Sequence, residues 1–183
     1  KAGEFQWQKT IGNMTEITDV TTDGDILYAI GTHSTEGVGV VKINAAGVEQ
    51  WSRTLSFNDS TNANTLVPSS CVFAGTPTSS TDTYALAGDT TAEDNLYVAA
   101  YDTNLNTSFI VRLSEAGVQL AGYTYGDVRI NSLRVDTGNG DGIYLMAGGY
   151  YDAGAVNKNP ILFRLSVDGV VQWQIQHADN TEE

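Results

Sequence analysis

Apolar positions along the chain fall in short runs of about four to seven residues, parted by clusters of Gly, Asn, Asp, Ser and Thr. Runs of that length, rich in Val, Ile, Tyr and Thr, predict strands, and the polar clusters predict turns. Three runs share one pattern: VGVVKINAAGVEQW (38–51), SFIVRLSEAGVQLA (108–121) and PILFRLSVDGVVQW (160–173). Each is an apolar stretch, then a cation (Lys42, Arg112, Arg164), then five residues later a glycine (Gly47, Gly117, Gly169) followed by valine. The AAG, EAG and VDG triplets before that valine predict tight hairpin turns.

A second shared element precedes each copy: DILYAIG (25–31), TYALAG (83–88) and IYLMAG (143–148), each a short Tyr-containing strand ending at glycine. A third opens the units: FQWQKTIG (5–12), QWSRTL (50–55), AGYTYG (121–126) and VQWQIQ (171–176). The tryptophan-type positions are Trp7, Trp51, Ala121 and Trp173, spaced by 44, 70 and 52 residues. The long second unit implies a loop-like insertion, placed in FNDSTNANTLVPSS and the Thr/Ser segment after it. The chain therefore reads as one all-β repeat domain of three blade-like antiparallel units, about 5–50, 51–120 and 121–172, with a surplus C-terminal strand and tail over 173–183.

The first unit, with WQKTIG, TTDGD, YAIGT and VVKINAAGVEQW, resembles the repeats of secreted β-propeller-like proteins and, more distantly, those of quinoprotein propellers. The resemblance implies strands that form blades and tryptophans that dock neighbouring blades. No residues match a quinoprotein cofactor set, and Ala121 departs from the docking tryptophan. A fold of this kind does not by itself imply a function.

Propellers close with four to eight blades, so three units imply either a piece of a longer propeller or completion by other copies. A terminal strand carrying Val and Trp is an exposed edge that needs a cover. The expectation is head-to-tail assembly with copies of itself by docking or strand donation. Trp7, Trp51 and Trp173 would dock blades, and Val170, Val171, Gln172, Trp173, Gln174, Ile175 and Gln176 would form the donated strand. A well-folded monomer, or a carbohydrate- or protein-binding module cut from a propeller, is the alternative.

Charge narrows the partners. Nine Lys and Arg against 22 Asp and Glu leave a net charge of −13, which excludes nucleic acid as a partner and a polybasic membrane contact. No apolar run approaches the roughly 20 residues of a membrane-spanning helix. The single cysteine, Cys71, reads as a small buried apolar residue and excludes an intramolecular disulfide. The chain opens on Lys1, as a processed or excised chain would. Sequons stand at Asn13, Asn58 and Asn106, each between apolar runs, and 75–83 suits O-linked sugar or a solvated loop. Acidic, Thr- and Asn-rich composition with little Lys points to an extracellular or cell-surface location.

Candidate chemistry is sparse. His33 and His177 lie near no nucleophile motif, and phosphate, dinucleotide and zinc-protease fingerprints are missing from the sequence. No enzyme and no resident cofactor are expected. Asp23 and Asp25, with Asp136, Asn139 and Asp141, recur just before the Tyr-Gly strand. Their oxygens suit either hairpin turns or a Ca²⁺ ion, without the full EF-hand spacing. The nine Tyr and three Trp suit core packing and blade docking, with stacking on glycans as the alternative.

Overall fold

The computed structural model describes residues 7–34, 37–55, 66–74, 95–103, 105–136, 144–151 and 159–177. The described residues form twelve strands and no helix. The first sheet is β1 (Met14–Asp23), β2 (Ile26–His33), β3 (Val38–Ile43) and β4 (Glu49–Leu55), and the second is β5 (Leu66–Ala74), β6 (Asn95–Asp102), β7 (Thr107–Ser114) and β8 (Gln119–Gly126). The third is β9 (Val128–Asp136), β10 (Tyr144–Tyr151), β11 (Asn159–Ser166) and β12 (Val171–Gln176). Each sheet is an antiparallel meander in chain order. β1 packs against β5 and β5 against β9, so the first strands of the three blade-like sheets lie together.

Strand alternation builds the layers. Leu96, Val98 and Ala100 of β6 enter one core with Tyr28, Ile30, Val38 and Val40 of the first sheet. The intervening Tyr97 and Ala99 enter the other core, with Leu145, Phe163 and Leu165 of the third sheet. β6 is therefore buried at every position, which explains why NLYVAAYD is a nearly unbroken apolar run. β12 is exposed at every position.

The C-terminal strand is present and pairs with β11 along Ile161↔Gln176 to Leu165↔Val171. It takes the fourth place in the third sheet, as the Trp51 strand does in the first. One edge of residues 171–176 is thus already paired within its own chain, and Val170 lies in the turn before it.

The second sheet differs from expectation. TYALAG (83–88) lies outside the described residues, and the strand that pairs in its place is β6, with Tyr97 opposite Arg112. LVPSS, read as insertion, begins β5. A register shift between Pro68 and Ser70 accommodates the proline, which has no N–H for the ladder.

Candidate assembly interface

The three recurrent turns have one construction. The N–H of Asn44, Ser114 and Ser166 donates to the carbonyl of Val48, Val118 and Val170, and the N–H of Gly47, Gly117 and Gly169 donates back to residue 44, 114 or 166. The side-chain oxygen of Asn44, Ser114 and Ser166 accepts from the N–H of that same valine. The glycines have φ of +75°, +75° and +72°, the left-handed bulge position that closes such a loop.

With no Cβ, each glycine leaves a flat seat for an aromatic ring from the preceding part of the chain. Trp51 of β4 lies over Gly117 in the second sheet, where a Cβ would stand 3.0 Å from the indole. Its Nε1–H donates to the Glu115 carbonyl at 2.9 Å. Trp7 lies over Gly47, and its Nε1–H donates to the Ala45 carbonyl at 3.0 Å. Tyr123 of β8 lies over Gly169, and its hydroxyl donates to the Val167 carbonyl at 3.3 Å. The accepting carbonyl is in every case two residues before the glycine.

Tyr123 shows what the sequence concealed. Ala121 is the register equivalent of Trp51, since they pair with Arg112 and Lys42. The missing ring is supplied two residues later, on the same strand face. The next same-face pair keeps this offset: Arg53 Nε–H donates to the Gly117 carbonyl at 3.3 Å, and the Tyr125 hydroxyl to the Gly169 carbonyl at 2.8 Å. A Tyr-x-Tyr in place of Trp-x-Arg was the available signal.

The recurrent cations stand beside these seats. Lys42 of the first sheet meets Glu115 of the second at 2.6 Å, and Arg112 of the second meets Asp168 of the third at 3.3 Å. Burial pulls the Lys42 ammonium down, but Glu115 and the Tyr28 hydroxyl outweigh it, and its pKa stands above the usual lysine value. Burial raises the Tyr123 phenol, which stays neutral and able to donate. Arg164 has no following turn among the described residues. It pairs within its own sheet with Asp136 at 3.2 Å and lies over the Tyr144 ring at 3.5 Å.

Trp173 completes the series. It pairs in register with Arg164, as Trp51 does with Lys42, and so shares a face with Arg164 and with the Leu162–Ile175 pair. That face points away from the second sheet, because Ile161, Phe163 and Leu165 fill the other side. Trp173 is 38% exposed, Leu162 41% and Ile175 62%, whereas Val40, opposite Arg53 in the first sheet, is fully buried. No described residue accepts from the Trp173 indole.

The remaining candidate residues do not converge. Asp23 pairs with Ile26 at a tight hairpin whose tip is Gly24 and Asp25, and Asp136 faces Arg164. Asn139, Asp141 and Asn58 lie outside the described residues. Among the described residues, no three His, Cys, Asp or Glu side chains cluster as metal ligands would. Asn13 is exposed, at a turn where its carbonyl accepts from the Ser34 N–H. Asn106 has a φ of 53°, its Nδ2 donates to Asp127, and its Oδ1 accepts from the Tyr101 hydroxyl. Cys71 is buried, its N–H donates to Asp19 Oδ2 at 3.0 Å, and burial pushes its thiol up to about 12.

The fold and its seats define an all-β repeat protein of stacked four-stranded sheets. No family model matches the chain, and no curated protein matches its sequence.

Proposed function

We propose that the chain is a structural repeat subunit of a fibre or surface assembly outside the cell, built head to tail, in which the outward face of the third sheet takes the turn of a neighbouring repeat. The observation that carries this reading is Trp173. It repeats the register and cation neighbour of Trp51, yet its indole donates to no described residue. An exposed strip of Leu162, Trp173 and Ile175 is the kind of apolar patch that marks an interaction surface.

The register of Trp173 favours docking through the sheet face; β12 pairs with β11 along one edge, so strand addition by a copy would have to use its other edge. The propeller-like repeats and the exposed sequon at Asn13 support the extracellular setting. The second reading, a carbohydrate- or protein-binding module, gains no enclosed ligand pocket from the cleft beside Asn13. The cleft lined by Asn13, His33, Ser52, Arg53 and Thr54 offers about 60 Å³, well short of the roughly 300 Å³ of ordinary ligand pockets.

Sedimentation velocity over a concentration series tests the reading. Oligomers that grow with concentration are expected, more strongly at 1 M than at 0.1 M salt, because copies of charge −13 repel unless screened. The Trp173→Ala variant, folded as judged by circular dichroism, is expected to stay monomeric. A chain that associates as readily with Trp173→Ala as without it would overturn the proposal.

A further inference from the structure

The receiving end of the first sheet is already occupied by the chain itself. Residues 7–11 form no strand, yet QWQKTI (6–11) repeats the β4 sequence QWSRTL (50–55) almost residue for residue. Trp7 sits on the turn at 44–48 as Trp51 sits on the turn at 114–118. Ile11 and Met14 then cover Ala29, Val41 and Ile43, the face of the first sheet that points away from the second. The segment thus imitates the outer strand of a preceding repeat.

Its hold is weak by comparison. Trp51 is carried by a strand hydrogen-bonded to β3. Among the described residues, the bonds holding 7–13 are the Trp7 indole to Ala45, the Met14 N–H to the Ile11 carbonyl, and the Ser34 N–H to the Asn13 carbonyl. Trp7 itself remains 36% exposed.

The two ends also match in charge. At the internal junctions the turn supplies a carboxylate, Glu115 or Asp168, to the cation of the preceding sheet. The turn of the first sheet has Ala45 and Ala46 at those places, and the cation of the third sheet, Arg164, has its carboxylate from Asp136 in its own sheet. A junction between the third sheet of one copy and the first sheet of another would bring a neutralised cation onto a neutral turn. A turn with its own acid, like those of the second and third sheets, would instead meet a cation already paired.

We infer that residues 7–13 are a removable cap, and that Trp173 of a second copy competes with Trp7 for the turn at 44–48. This rests on the docking reading above and adds its regulation. Copies assemble only as far as the cap leaves, so the cap sets the concentration at which assembly begins.

The test compares the full chain with its Trp7→Ala, Trp173→Ala and doubly substituted forms by sedimentation velocity, with melting curves to confirm folding. Trp7→Ala is expected to associate at a concentration roughly tenfold lower than the unaltered chain, and the double substitution to return it to monomer. Trp7→Phe, which keeps a ring over Gly47 but loses the indole donor, should fall between and serves should Trp7→Ala fold poorly. If Trp7→Ala and the unaltered chain associate alike while Trp173→Ala abolishes both, the cap is refuted and docking survives. If association of Trp7→Ala persists in the double variant, the uncovered face is merely adhesive and the competition is refuted. If neither the unaltered chain nor Trp7→Ala associates, cap and docking both fall.

Discussion

The glycine seats allow a prediction whose components separate. Replacing Gly117 by alanine imposes two costs. The first is conformational: at a φ of +75° an L-residue costs about 1–2 kcal/mol more than glycine. The second is the seat. The new Cβ would stand 3.0 Å from Trp51 Cδ2 and Cε2, against the roughly 3.5–4.0 Å at which carbon atoms rest, so the indole must move by about 0.5–1 Å. That displacement weakens the bond from Trp51 Nε1–H to the Glu115 carbonyl, worth about 0.5–1.5 kcal/mol, together with ring packing.

The two quantified parts sum to about 1.5–3.5 kcal/mol, and the lost ring packing adds to them. Gly24 provides the control, because its φ is +52° and a Cβ there meets nothing within 4 Å. Gly24→Ala should therefore cost only the conformational part, about 1–2 kcal/mol. Equilibrium urea unfolding at neutral pH, followed by circular dichroism, measures both, provided the slope with denaturant is unchanged. In a Trp51→Ala background the penalty for Gly117→Ala should shrink to the Gly24 value, since no ring remains to be displaced. If Gly117→Ala costs no more than Gly24→Ala, or if its cost is the same with and without Trp51, the ring-on-glycine junction is not what joins the first two sheets.

Other expectations are simpler. Burial pushes the Tyr97 phenol up to about 12, from about 10 in an unfolded chain, and Lys42 is also raised. Both groups hold their protons more tightly when folded, so the stability they contribute is present below about pH 10 and lost as pH rises beyond it; urea midpoints should fall between pH 10 and 12, and a flat profile there would contradict the burial. Cys71, raised to about 12, should react with a thiol reagent at pH 8 only as fast as the chain opens, so labelling should accelerate with urea in step with unfolding. Ala121→Trp should not stabilise the second junction, because Tyr123 already occupies Gly169, whereas Tyr123→Phe should lose about 0.5–1.5 kcal/mol with the Val167 bond. A gain in melting temperature from Ala121→Trp would show that the seat is open.

Much of this architecture was legible in the chain, and the misreadings are instructive. The cation-to-glycine spacing located three hairpins, because a left-handed bulge position favours glycine whatever surrounds it. The phase of the repeat was harder, since a periodic sequence does not say whether its tryptophan strand opens one unit or ends the last. The turn contained the answer: a tight hairpin ties the Lys42 strand to the Trp51 strand, which makes the latter the fourth of its sheet. β5 was hidden by Pro68 and two serines, which a bulge tolerates but a strand pattern does not advertise. The Glu115 and Asp168 partners were invisible because they lie about 56–73 residues from their cations, and only packing of separate sheets brings them there.

The chemistry of the seat explains how such divergent repeats can share one junction. Ala45, Glu115 and Val167 differ in size and charge, yet each offers the same main-chain carbonyl to an incoming donor. Recognition through the backbone asks only for glycine beneath the ring and a donor of suitable reach, so an indole and a phenol serve alike, one even two residues out of register. Specificity must then come from elsewhere. The carboxylate on the turn and the cation on the preceding strand are the elements that vary between junctions, and like-charged or unpaired groups at a wrong junction would carry a desolvation cost. By that logic the neutral turn of the first sheet and the internally paired Arg164 of the third belong together, and neither is suited to the internal junctions. Placing Glu at Ala45 while replacing Asp136 by Asn transplants the internal charge pattern to the ends. If association through Trp173 survives each single change less well than the pair, the charges choose the partner; if it is indifferent to all three variants, the aromatic seat alone does.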